Sequence, residues 1–245
     1  MRTRPLLWIL VYSFLHVLLS PGLQLADVNP STQQPHRLTS PYPDGQLFFQ
    51  PSTPSASANH NVVPVALGVM SKCPDAQICE DVFDRVLAEV SDKVELTVVY
   101  MGDLDDTTGY GVRCRHGDNE CRANIQQLCY RAIHPSLHDW WSFIQCQNYA
   151  GLPRVGDEDL ARSCAKLNGH GWKEVRKCVE GAQGRTLLRS SVLEARDLHV
   201  LKSCSIYLNR QLVCMHDSSW KQCPSGHTPS DFISLIKEEY EKINP

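Results

Sequence analysis

Apolar residues fall into blocks whose spacing predicts how the folded part of the chain begins. VVPVALGVM (62–70) is a near-continuous apolar run, as expected of a strand buried on both faces of a sheet. Pro64 falls near its start, where a missing N–H is tolerated. In PDAQICEDVFDRVLAEV (74–90), Ile78, Val82, Val86 and Val90 recur every four residues, with Phe83 and Leu87 beside them. That pattern predicts an amphipathic helix, and Pro74 suits its first position. KVELTVVYM (93–101) predicts a second strand. Strand, helix and strand at this spacing make a βαβ unit, so the two strands are expected to be parallel.

From 114 to 200 the pattern is helical and interrupted. DNECRANIQQLCYRAI predicts one helix with Cys121, Ile125 and Leu128 on a face, ended by Pro135. SLHDWWSFIQCQNYA, DEDLARSCAKL, WKEVRKCVE and RTLLRSSVLEARDLHV predict four more, with NGHG turning the chain between the third and fourth of the five. The acidic start of DEDLARSCAKL suits the positive end of a helix dipole. Tyr110, Trp140 and Trp141 are read as packing residues. SCSIYLNRQLVCMHD then predicts a hairpin turning at Asn209-Arg210. HTPSDFISLIKEEYEKI closes as a helix, with Thr228 as N-cap, Pro229 at N1 and Asp231 at N3. The order β-α-β, helical insertion, β-β-α predicts an α/β, thioredoxin-like fold with a disulfide-rich helical insertion.

Ahead of this lie two segments of different character. MRTR followed by the apolar PLLWILVYSFLHVLLS reads as a secretory signal peptide over 1–26. An uncleaved signal anchor is the alternative, and only then would the protein touch a membrane. Residues 27–60 are rich in Pro, Ser, Thr, Gln and Asn and read as a linker. The folded domain is expected over 61–245.

Composition adds one strong signal. A net charge of -3 offers no electrostatic footprint for nucleic acid or an anionic membrane, so no nucleic-acid partner is expected. The chain has eleven cysteines: Cys73, Cys79, Cys114, Cys121, Cys129, Cys146, Cys164, Cys178, Cys204, Cys214 and Cys223. That density suits an oxidising compartment, and the odd count leaves at least one thiol free or paired with another chain. Serine, carboxylate and nucleotide mechanisms find no motif. The lone histidines and the acid pairs Asp105-Asp106 and Glu238-Glu239 read as solvated surface.

CRHGDNECRANIQQLC (114–129) carries a spacing of C-x-H-G-x2-E-C-x2-N-x4-C. Cys121 and Cys129 would lie ~12 Å apart along one helix, too far to bond each other, so each needs another partner. Cys114 is within reach of Cys121 across the Gly117 turn. Cys164 and Cys178 flank NGHG and are candidates to join two antiparallel helices. Cys214 and Cys223 are candidates for a local bond. A stapled scaffold is the simple reading of these sulfurs. Zinc at Cys114, His116, Cys121 and Cys129 is the sharper one, but the oxidising compartment and the non-finger spacing oppose it, and no metal is expected. His116 is a candidate for tuning a thiol. The simpler reading is that His116, Glu120 and Asn124 hold the turn into the insertion by hydrogen bonds.

This stretch resembles the signature of the gamma-interferon-inducible lysosomal thiol reductase family at Cys114, His116, Gly117, Glu120, Cys121, Asn124 and Cys129, departing at Arg115, where Gln is common. The resemblance runs over about residues 61–242. It implies a thioredoxin-like fold, a secretory or endolysosomal location, and reduction of protein disulfides.

Reductases of that family carry C-x-x-C where this chain has Cys73-Pro74-Asp75-Ala76. The resemblance makes Cys73 the nucleophile and leaves Ala76 in place of the resolving cysteine. The actual pair, in CPDAQIC, is C-x5-C, similar to a fungal variant of the family. Helix N-termini favour thiolates. If the helix starts at Pro74, Cys79 lies ~9 Å along it from Cys73; a bond between them needs a looped CPDAQIC and a later helix start. The resemblance also places Cys204, in KSCSIYLN, at or beside the position where thioredoxin-like enzymes hold a cis-proline against the nucleophile. Either Cys79 or Cys204 then resolves a mixed disulfide, or Cys73 is locked in a structural bond.

The leading expectation is a thiol-disulfide oxidoreductase, secreted or lysosomal/vacuolar, catalytic at Cys73 and Cys79 with Cys204 near the site. It would act on disulfide-containing protein substrates with a small thiol reductant and no cofactor. The alternative is a non-catalytic, disulfide-stapled binding or structural protein of the same fold.

Overall fold

The computed structural model describes residues 61–245; the expected signal segment (1–26) and linker (27–60) lie outside the described residues. Strand β1 (Val63–Val69) leads through a tight loop into helix α1 (Pro74–Val90), and β2 (Val94–Tyr100) follows after one 3-10 turn. β1 and β2 are parallel, Val63 opposite Val94 and Val69 opposite Tyr100, which is the βαβ unit read from the apolar blocks. One detail of α1 differs. Ile78 is 43% exposed, and Ala76, Cys79, Val82, Phe83, Val86 and Val90 form the buried face. A spacing of four drifts about 40° per step around a 3.6-residue helix, so Ile78 rotates off the stripe that Val86 and Val90 keep.

A short ladder, β3 (Asp103–Leu104) with β4 (Val112–Arg113), precedes the insertion and has no signal in the sequence pattern. The insertion is five helices: α2 (Asp118–Ile133), α3 (Leu137–Tyr149), α4 (Glu158–Leu167), α5 (Lys173–Glu180) and α6 (Ala182–Asp197). Cys121 and Ile125 of α2 are buried and Leu128 is half-buried, while Trp140 and Trp141 are core residues. The chain then re-enters the sheet as β5 (Ser205–Leu208) and β6 (Gln211–His216). Asn209 and Arg210 both take left-handed φ (49° and 65°), as a type I′ hairpin turn requires. A two-residue strand β7 (Trp220–Lys221) precedes α7 (Pro229–Ile243), whose Thr228 and Asp231 form a reciprocal capping box.

The sheet order is β2-β1-β5-β6-β7, with β5 antiparallel to β1. Alternation along the strands sends consecutive side chains to opposite faces. On one face Val65 and Leu67 join the main core with Phe83 and Val86 of α1 and Phe232 and Ile236 of α7. On the other, Val99 and Tyr207 pack with Ala195 and Leu198 of the α6 end and with Val200. Gly68 lets Val200 approach the sheet: a Cβ there would sit 2.5 Å from its Cγ1. Among the described residues no helix is long and apolar enough to cross a membrane.

Candidate active site

Cys73 sits where β1 hands over to α1. Its backbone is extended (φ -92°, ψ 129°), while its carbonyl accepts from Gln77 N–H at 3.3 Å, so it is the N-cap of α1. Pro74 occupies N1, where its missing N–H leaves nothing unsatisfied. The sulfur therefore faces the positive end of a 17-residue helix. Cys73 is 7% exposed and is the one unpaired cysteine of the eleven.

The surroundings come from three loops. Cys73 Sγ lies 3.7 Å from the Ser203 carbonyl oxygen and 4.0 Å from Asp75 Oδ2. The peptide joining Ser203 to Cys204 is cis. Ser203 Oγ accepts from Met70 N–H (2.9 Å), and Cys204 exchanges both backbone hydrogen bonds with His216 (3.1 and 2.9 Å). Asp75 Oδ1 accepts from His216 Nδ1 at 2.6 Å and from Ser218 N–H at 2.9 Å. The His216 ring meets Trp220 edge-on at 4.9 Å. Lys72 spends its ammonium on the carbonyls of Leu152, Pro153 and Val155 (2.7, 3.2 and 2.9 Å), fastening the Cys73 loop to the insertion.

The other candidate sulfurs are close in space and differently engaged. α1 starts at Pro74, so CPDAQIC is helical rather than looped and Cys73 is not bonded to Cys79. Cys79, fully buried, is bonded to Cys204, with Cα atoms 6.3 Å apart. Cys73 is thus not locked in a bond. Ala76, where a C-x-x-C motif has its second sulfur, is fully buried.

The 114–129 signature has a structural explanation. Cys114 bonds Cys121 across the turn, with Cα atoms 5.5 Å apart. Gly117 makes that turn at φ 82°, ψ -173°, a conformation open essentially to glycine. Glu120, fully buried, accepts from His116 N–H (3.4 Å) and pairs with the His116 ring. Asn124 Oδ1 accepts from Ser71 N–H (3.3 Å), and its Nδ2 lies 3.8 Å from Cys114 Sγ. Asn124 therefore ties the signature helix to the loop that presents Cys73.

Three expectations need correction. Cys164 pairs with Cys146 and Cys178 with Cys129, rather than Cys164 with Cys178. α5 packs mainly on α2 and α4 on α3, and the Glu158–Arg176 ion pair (3.7 Å) links α4 to α5. Cys214 and Cys223 do form the local bond. The histidines are not all solvated surface. His216 is buried at the site, and His134 stacks on His170 with ring centres 3.9 Å apart. Asp105 is also engaged, by Thr107 and Arg113. Among the described residues no group of three or more His, Cys, Asp or Glu side chains is arranged to hold a metal ion.

Two features had no signal in the sequence. Glu80 is buried inside α1; its carboxylate accepts from Asn148 Nδ2 (2.6 Å), and burial pushes its pKa up to about 7, against the lowering by Asn148. A cleft of about 560 Å³ opens at the C-terminal ends of β1 and β2, lined among others by Met70, Gly102, Arg113, Arg115 and Leu201.

This arrangement of sheet and helices is that of a thioredoxin-like fold. It is similar to the thiol-disulfide oxidoreductase MdbA of Corynebacterium diphtheriae (TM-score 0.51, 11% identity, 74% of this chain and 86% of that one). It is likewise similar to oxidised BdbD of Bacillus subtilis (TM-score 0.50, 13% identity, 73% and 88%). Residues 64–168 match the model of the gamma interferon inducible lysosomal thiol reductase (GILT) family. GILT-like protein 1 of Drosophila melanogaster is 31% identical over 144 residues, 53% of this chain and 58% of that protein. The gamma-interferon-responsive lysosomal thiol protein of Arabidopsis thaliana is 27% identical over 133 residues, 52% of each. The chain thus spans a little over half the length of these relatives.

Proposed function

We propose that this protein is a thiol-disulfide oxidoreductase of the secretory pathway that reduces protein disulfides through Cys73. The observation that carries this reading is the state of the sulfurs: ten are paired, and the eleventh caps the helix that follows β1, against the Ser203 carbonyl. A Cys73 thiolate attacks one sulfur of a substrate disulfide. The Cys73–substrate bond forms, the substrate S–S bond breaks, and the second substrate sulfur leaves as a thiolate that takes a proton from water.

Resolution requires another thiol. While Cys79 and Cys204 are bonded to each other, a small thiol reductant must supply it. Once that reductant has opened the Cys79–Cys204 bond, Cys204 can attack the Cys73 sulfur of the mixed disulfide and free the reduced substrate, whereas Cys79 is held away from Cys73 along helical α1. Each substrate disulfide then consumes two electrons from the reductant. Leu201, 79% exposed and two residues before Ser203, borders the cleft as an apolar contact for the substrate chain. Five disulfides and the apolar N-terminal segment support a secreted or lysosomal/vacuolar site of action.

Ala76 in the C-x-x-C position favours a second reading, a disulfide-stapled binding protein without catalysis. The test is reduction of a protein disulfide by the chain with a thiol donor, at acidic and neutral pH, beside Cys73→Ser. Loss of activity in the variant is the expected result. No rate above donor alone at either pH overturns the catalytic reading in favour of the second.

A further inference from the structure

We propose that Asp75 and His216 form a charge pair that controls how much of Cys73 is thiolate, the protonated His216 releasing the thiolate that the Asp75 carboxylate otherwise opposes. The inference rests on Cys73 being a reactive thiol and goes beyond it by assigning two positioning residues. Asp75 presents one oxygen to each side. Oδ2 lies 4.0 Å from Cys73 Sγ, and Oδ1 is held at 2.6 Å by His216 Nδ1 and at 2.9 Å by Ser218 N–H. The His216 side chain is 8% exposed and that of Asp75 22%, so water screens their charges only in part.

The physics gives the pair opposite signs. A carboxylate beside a thiol disfavours the second negative charge, and a neighbouring cation favours it. With His216 neutral, the pair carries one negative charge and opposes ionisation of the Cys73 thiol. With His216 as imidazolium, the pair is neutral; the thiol then loses its proton to solvent and its electron pair stays on sulfur, favoured by the α1 N-terminus. Acidification thus has two effects on the thiolate, a direct loss and a gain through His216.

Other charged groups packed around the pair are committed elsewhere. Asp217 is paired with Lys202 and Lys221, and Lys72 with three carbonyls. His227 stacks on the Trp220 ring, and Glu80 is buried against Asn148.

Iodoacetamide is the probe, on protein with its disulfides intact, where Cys73 is the single thiol. Alkylation of Cys73 is followed by mass against pH in the wild type, Asp75→Asn and His216→Gln. Asp75→Asn should raise the rate at a fixed acidic pH about three- to tenfold, and His216→Gln should lower it by a similar factor. A merely structural pair would leave both curves in place or move them the same way, and either result overturns the proposal. Should His216→Gln fail to fold, the wild type decides. Its alkylation curve must show an inflection where the His216 ring protons titrate by NMR, and a single smooth ionisation overturns the pair. Cys73 labelled at equal rates in all three proteins sinks this inference alone. Cys73 unlabelled when folded but labelled when denatured sinks the nucleophile assignment with it.

Discussion

Cys73, Glu80 and Asn124 each show how much of a side chain's role lies in its neighbours. Cys73 stands out in the sequence through its place between an apolar run and a helix. Glu80 carries no such mark, because its stripe position on α1 is only two residues from the exposed Ile78. Burial makes it a pH-dependent element of stability. Its folded pKa of about 7 lies above the 4.5 of an ordinary Glu, so the carboxyl is accommodated fully while protonated. The penalty for ionising it develops as pH rises from 4.5 towards 7 and then levels at about 3 kcal/mol. Urea denaturation across that range should show stability falling as pH rises, with Glu80→Gln flattening the slope. An unchanged slope in Glu80→Gln would remove Glu80 as its source.

At the scale of elements, periodicity located every helix of the insertion but not its cross-links. The bond Cys129–Cys178 joins α2 to α5 across 49 residues, and Cys146–Cys164 joins α3 to α4 across 18. Cys214–Cys223 closes only 9. Loop-closure entropy ranks them accordingly, about 4 kcal/mol for the longest and about 2.5 for the shortest. Replacing Cys129 and Cys178 together by Ala should therefore lower the denaturation midpoint more than replacing Cys214 and Cys223. The reverse order in paired urea titrations would refute an entropic origin. The short β3–β4 ladder escaped prediction because two residues are too few to show any alternation.

At the largest scale, the described residues form a βαβ unit and a hairpin-plus-helix joined in one sheet, with the helical insertion leaving after β2 and returning at β5. That topology brings Cys79 and Cys204, 125 residues apart, into one bond and sets Cys73 beside it. The sulfur inventory makes a plain prediction. Intact protein should take up one equivalent of iodoacetamide when denatured without reductant, and eleven after reduction. An uptake of three without reductant would mean that one of the five bonds, Cys79–Cys204 above all, is open in the isolated protein.

Local chemistry was enough for the elements. Pro74 and Thr228 start helices, Pro135 stops one, Asn209-Arg210 turns a hairpin, and apolar spacing separates strand from helix, because these depend on residues within a few positions of one another. The 114–129 signature likewise carried the resemblance to the family whose model residues 64–168 match. Pairings across long stretches of chain were not legible. Cys164 with Cys146, Cys79 with Cys204 and Asp75 with His216 are set by which helix packs on which and by strand register, and nothing near those residues in sequence encodes that choice. The chain by itself therefore singled out Cys73 and left open whether it is bonded; only the tertiary structure decided that it is free and what surrounds it.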